Sequence, residues 1–307
     1  MIEHPVIRLS ATTAMLEEFG DAKTRYPMHK DHPTVYLSHV DGAQGDNVLR
    51  GKRESVKILP ITLRPSLLVS YVYLKAFARH KSAYVYRDWA LDSGAFSAHS
   101  MGIKIVLDEY IDTCLELNRT DKTLSEIFSL DVIGDWRASL KNVERMWKRG
   151  VEAIPCYHVG EPKDVLINLA KDYPKVALGG AVGYGRKEHW AKSCFGLVWP
   201  KKLHGFGFGG EKSILNLPWH SVDATNWEMT PCKFGIWRSF GRQHLRIRGS
   251  SQDLTNEIKY YLDLEAKARQ RWKVEMQKLN DLGPTIRLVE RGSRGKRALT
   301  GKRVIDD

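Results

Sequence analysis

From about residue 86 onward, short apolar runs alternate with amphipathic stretches at intervals of about 20 to 40 residues, the pattern of a parallel β/α architecture. The runs WALD (89–92), IFSLDV (127–132), EAIPCY (152–157), KVALGG (175–180), KLHGFGF (202–208) and HSVDA (220–224) predict strands. Segments such as VLDEYIDTCLELN, WRASLKNVERMWKRG and PKDVLINLAKDY place apolar residues three and four apart, which predicts helices between those strands. Upstream, TVYLSHV (34–40) and SLLVSYVYL (66–74) supply two more strands. The total of eight fits a (β/α)8 barrel over residues 1–250, with an open doubly wound sheet as the structural alternative. Residues 251–283 predict one long helix, with Ser251 or Asp253 to start it and Gly283 before Pro284 to stop it. With the Gly-, Lys- and Arg-rich tail that follows, it forms a C-terminal region over 251–307.

Composition narrows the class. With 42% hydrophobic and 27% charged residues, the chain reads as an ordinary globular protein, and no apolar run reaches the roughly 18 residues that a membrane span needs. The start, MIEHPVIRLS, lacks the basic-then-apolar layout of a secretory signal, so a cytoplasmic protein without membrane contact is expected. Cys114, Cys156, Cys194 and Cys232 never form a CxxC pair, which predicts four reduced thiols and no structural metal. Cys232 and His244 remain the pair from which an atypical zinc site could be built. The formal charge of +12 suits a polyanionic partner, and the stretch from Arg238 to Gly249, RSFGRQHLRIRG, offers Arg238, Arg242, Arg246 and Arg248 for phosphate contacts.

In a β/α barrel the reacting groups come from the C-terminal ends of different strands, because the loops there share one rim. Those ends carry Asp92 in LDSGAFS, Asp131 in SLDVIGD, His158 in CYHVGEP, Gly179 and Gly180 in ALGGAVG, His204 and Gly205 in LHGFGFGG, and Asp223 in SVDATNW. Taken singly, an aspartate after a strand is more often a helix cap or turn former, and a lone histidine is more often a satisfied core residue. Their joint appearance at one rim favours a site. FGFGG (206–210) lacks the Lys and Ser or Thr of a phosphate loop, so a nucleoside triphosphate site is not expected.

These segments resemble the tRNA-guanine transglycosylases, and more closely the DpdA-type enzymes that insert 7-deazaguanines into DNA. The resemblance covers about residues 88–227: LDSGAFS is similar to the family's Asp-Ser-Gly-Gly-Phe-Gln, ALGGAVG to Ala-Leu-Gly-Gly-Leu-Ala-Val-Gly, LHGFGFGG to Leu-Met-Gly-Val-Gly, and SVDATNW to the segment holding Phe-Asp-Cys. It implies a TIM-type barrel and a double displacement in which Asp223 is the nucleophile and Asp92 the general acid/base, with no cofactor. It further implies that Asp131, Phe96, Ser93, His158, Gly179, Gly180, His204 and Gly205 form the base-binding pocket. His158 and His204 stand where the family has Gln and Met, Ala95 replaces its second Gly, and Ser97 its Gln. The Pro-Thr-Arg stretch and the Cys-x-Cys-x-x-Cys zinc site of the tRNA enzymes are missing, which implies DNA rather than tRNA as the polymer, with the target nucleotide flipped out or single-stranded. tRNA exchange, a non-catalytic nucleic-acid-binding barrel and a hydrolytic glycosidase are the rival readings.

Overall fold

Strands covered on both faces read as apolar runs, and the computed structural model of the protein shows what covers them. It describes residues 5–10, 64–83, 85–239, 242–245 and 254–281. Eight parallel strands form one curled, TIM-like sheet: β1 (Val6–Ser10), β2 (Ser66–Ser70), β3 (Trp89–Asp92), β4 (Leu124–Ile127), β5 (Cys156–His158), β6 (Lys175–Gly179), β7 (Lys202–Gly205) and β8 (Ser221–Ala224). Their order in space is β4-β3-β2-β1-β8-β7-β6-β5. The two ends of that series meet at Ile154, whose N–H donates to the Ile127 carbonyl at 2.8 Å and whose carbonyl accepts from Ser129 N–H at 2.9 Å. This Phe128–Ile154 bridge is the β4–β5 link among the described residues.

Helices α1 (Leu74–His80), α2 (Ala95–Met101), α3 (Leu107–Thr120), α4 (Trp136–Lys148), α5 (Lys163–Asp172), α6 (Lys187–Val198), α7 (Glu211–Asn216) and α8 (Asn226–Glu228) connect or follow the strands. α4 shows why they form. Asp135 caps it by accepting from the backbone N–H groups of Arg137 and Ala138, each at 3.0 Å, and the buried Ser139, Val143 and Met146 recur at helical spacing. A hairpin of β9 (Ile236–Ser239) and β10 (Arg242–Leu245) follows, then α9 (Thr255–Asp281). The buried Leu254, Ile258, Tyr261, Leu264 and Ala268 seat α9 on the outer core, and Glu265 accepts from Ile7 N–H of β1 at 2.8 Å. Among the described residues no helix is long and apolar enough to cross a membrane.

The strand pleat sorts side chains into two cores. Leu67, Val69, Trp89, Leu91, Ile127, Val176, Leu178 and Val222 belong to the larger cluster that includes the helices, whereas Leu68, Ala90, Phe128, Ile154, Cys156 and Ala177 form a small cluster of their own within the curl. Next to that cluster sits a buried network of charges. Arg8 Nη1 donates to Asp88 Oδ1 at 2.6 Å and its Nη2 to Glu126 Oε2 at 2.9 Å, while Lys175 Nζ lies 2.6 Å and His220 Nε2 3.2 Å from Glu126 Oε1. Burial alone would raise the Glu126 carboxyl; the His220 hydrogen bond and the charges of Arg8 and Lys175 outweigh it and hold the group well below its ordinary value.

Several predicted elements differ from those found. The N-terminal strand is Val6–Ser10, whereas the predicted strand at 34–40 lies outside the described residues. The strand predicted over 127–132 ends at Ile127, because after Phe128 the chain leaves the sheet to carry Asp131 to the rim. Likewise the run at 152–157 pairs as a strand only from Cys156, and that at 202–208 stops at Gly205 before a turn. The basic tail lies outside the described residues.

Because Glu126 pairs with Arg8 and Lys175 and meets His220 at once, Glu126→Ala leaves the buried Arg8 guanidinium with one partner fewer, and urea denaturation should show a loss of about 3–5 kcal/mol.

Candidate active site at the strand ends

Asp223, near the end of β8, is 7% exposed, and both its oxygens are held. Oδ1 accepts from Gly207 N–H at 2.6 Å and Oδ2 from the Ser10 hydroxyl at 3.2 Å. Gly207 has φ +73°, a left-handed conformation that turns the chain here, and a Cβ on Gly209 would lie 2.6 Å from the Asp223 carbonyl oxygen. The glycines of FGFGG therefore bring backbone close to Asp223. Lys187 donates to the Gly207 carbonyl at 2.9 Å, and its charge lowers the Asp223 carboxyl; burial is the larger effect and leaves it raised.

Asp92 ends β3 with Oδ2 accepting from Gly94 N–H at 3.2 Å. Its carboxyl is pushed up to about 7 by burial, then by the negative charge of Asp131 and then by that of Asp223. Asp131 and Asp223 thus both act on Asp92. Gly94 (φ +75°) admits no side chain, since a Cβ would stand 2.7 Å from Ser70 Oγ, a buried hydroxyl without a hydrogen-bond partner among the described residues.

Asp131 and His158 meet beside Asp92. His158 Nε2 lies 3.3 Å from Asp131 Oδ2, its Nδ1 lies 2.9 Å from Glu161 Oε1, and Ser129 Oγ donates to Asp131 Oδ1 at 3.4 Å. His158 is raised far above its ordinary value by the Cys156 sulfur and, against burial, by its bonds to Asp131 and Glu161. Burial pushes the Cys156 thiol up to about 12. On the neighbouring strand Gly179 leaves room, for a Cβ there would stand 2.7 Å from Cys156 Sγ and 3.0 Å from His158 Cδ2.

The remaining residues singled out by sequence spread around these strand ends. Phe96, in the first turn of α2, is 69% exposed; Gly180 is an exposed turn residue with φ +67°; Ser93 is buried beside Asp92. His204 does not reach the rim: it is buried against Phe128 and Phe206 with Nδ1 2.8 Å from Ser221 Oγ, and burial pulls it down to about 3. The pleat explains this, since Phe206, two residues on, is the one that follows it toward the loops. Gly205 faces outward, where a Cβ would stand 2.7 Å from the Trp219 ring. Arg238 lies over the Tyr260 ring with its Nε 3.3 Å from Glu257 Oε2, tying β9 to α9. Arg242 pairs with Ser239 in the hairpin, while Arg246 and Arg248 and the side chains of Cys232 and His244 lie outside what the structure describes.

Ser10 and Lys187 take part in the site without belonging to any strand-end motif, whereas Gly207, Cys156 and Glu161 lie inside LHGFGFGG and CYHVGEP but carry no role there from the resemblance. For Glu161 a signal does exist, the three-residue spacing in HVGE that returns its carboxylate to His158.

The raised Asp92 carboxyl has a stability consequence with a definite sign. Its folded-state value of about 7 lies above the ordinary 3.8, so the protonated form is favoured by folding, and that contribution is full below pH 3.8 and lost as pH rises through about 7. Asp92→Asn should therefore nearly match the parent at pH 4 and exceed it by up to roughly 4 kcal/mol at pH 8, read by denaturant unfolding at both pH values. Compared with protein-family models and with curated proteins, the chain matches none.

Proposed function

We propose that the protein is a base-exchanging transglycosylase of DNA that replaces guanine with a 7-deazaguanine on a (β/α)8 barrel. The observation that carries this reading is the pairing of Asp223, both oxygens held by donors, with Asp92, whose carboxyl sits at about 7. Such a pair suits displacement at an anomeric carbon, where one carboxylate attacks and the other manages protons.

In the first half-reaction an Asp223 oxygen attacks C1′, the bond from C1′ to N9 of guanine breaks, and Asp92 gives its proton to the departing base. In the second half Asp92, now ionised, takes the N9 proton of the incoming deazapurine, which displaces Asp223 from C1′ with overall retention. A group that gives a proton and then takes one works best when its pKa lies near the operating pH, which Asp92 meets. The Gly207 N–H and the Ser10 hydroxyl aim the nucleophile.

Asp131 accepts from the purine N1–H and exocyclic amine, with Ser93, His158, Gly179 and Gly180 completing the pocket. Exposed Phe96 supplies a stacking face, worth about 1–3 kcal/mol for a base on an aromatic platform. His204 and Gly205 support the pocket from behind, given where they pack. The net charge of +12 favours a polyanion, with Arg242, Arg246 and Arg248 as candidate phosphate contacts and Arg238 bracing the hairpin that carries Arg242.

The test is incorporation of labelled guanine by purified protein into duplex DNA, single-stranded DNA and tRNA. Incorporation into DNA is expected, together with a covalent protein–DNA species on denaturing gels. Asp223→Ala should remove that species and cut exchange by roughly 10⁴-fold or more. Label in tRNA alone would replace DNA by tRNA as the polymer, an abasic site instead of exchange would make the enzyme a hydrolase, and an adduct persisting in Asp223→Ala would overturn the assignment of the nucleophile.

A further inference from the structure

The geometry points to a divalent-metal site of the zinc type at Asp131, Cys156 and His158. One carboxylate oxygen, the sulfur and one imidazole nitrogen from these residues all lie within 4.8 Å of one another. Around a tetrahedral zinc with bonds of about 2.0–2.3 Å, ligand atoms stand roughly 3.3–3.8 Å apart, so Asp131 Oδ2 and His158 Nε2, at 3.3 Å, already have the required separation. The sulfur needs only a small approach.

Three further observations support a built site. Cys156 and His158 are two apart on β5, so the pleat turns both side chains to the same inner face. The opposite ring nitrogen of His158 is held by Glu161 at 2.9 Å, the carboxylate–histidine arrangement that orients a metal-bound imidazole. Gly179, paired with His158 across the sheet, carries no side chain where a Cβ would collide with Cys156 Sγ.

Binding releases the protons of Cys156 and His158 to solvent, and the thiolate, imidazole and carboxylate that result select zinc or a similar borderline ion over magnesium or calcium, which prefer all-oxygen shells. Three protein ligands leave the fourth position for water or a substrate atom, the pattern of a catalytic rather than a structural zinc. The inference goes beyond the base-exchange reading, because a metal takes the two atoms through which Asp131 and His158 would otherwise meet a purine directly.

The test is titration of the full-length protein, freed of metal by a chelator, with cobalt(II) in the absence of nucleic acid and free base. One equivalent should bind with a thiolate-to-cobalt charge-transfer band in the near ultraviolet, and zinc should displace it. Cys156→Ser should abolish the band while circular dichroism shows an unchanged fold. Asp131→Asn keeps the thiolate, so it should keep the band while weakening binding at least tenfold, and Glu161→Gln, which only positions His158, should weaken it about 10- to 100-fold. Absence of the band in folded parent protein, or an equal band in Cys156→Ser, overturns the site. Cobalt binding without base exchange would sink the exchange reading alone, and exchange by protein that takes up no cobalt would sink the metal site alone.

Discussion

Glu126 places a single carboxylate among Arg8 of β1, Lys175 of β6 and His220 at the start of β8, and Arg8 passes the charge on to Asp88 before β3. A lone buried ion costs several kcal/mol or more, so the buried Arg8 and Glu126 tolerate their place only while their partners stay in place. The strands that carry them cannot slide independently. A slip of one residue would turn Arg8 or Glu126 into the outer apolar core. The strand ends, and with them every group at the mouth, inherit their positions from this floor.

Above the floor, similar side chains acquire different characters from their surroundings. Asp223 has a backbone N–H, a hydroxyl and the field of Lys187; Asp92 has the backbone N–H groups of Ser93 and Gly94 and two negative neighbours. Environments that separate the behaviour of paired carboxyl groups are the means by which one protein obtains both an attacking group and a proton carrier. His158 fixed between two acids and His204 stripped of solvent make the same contrast for imidazole.

How far the sequence was legible follows from where each interaction lies. WALD was readable as β3 to the residue because Trp89 and Leu91 face one apolar core while Ala90 faces the other, which leaves an uninterrupted apolar run. VIRLS escaped because Arg8 breaks the pattern, and the partners that justify it, Asp88 and Glu126, are 80 and 118 residues away. The strand-end aspartates were visible from position alone. Cys156 read as an inert thiol, since its relation to Asp131 depends on how β5 lies beside the segment after β4, and His204 read as a rim residue because a motif does not say how many residues a strand continues beyond it.

The seam between β4 and β5 is closed by the Phe128–Ile154 bridge, and just above it Asp131 stands on one side while Cys156 and His158 stand on the other. Any ligand gripping both sides works as a clasp on the least securely stitched edge of the sheet. Its binding energy then also resists the local parting of that edge, so occupancy of the mouth and slow exchange of the Ile154 amide proton become two views of a single equilibrium.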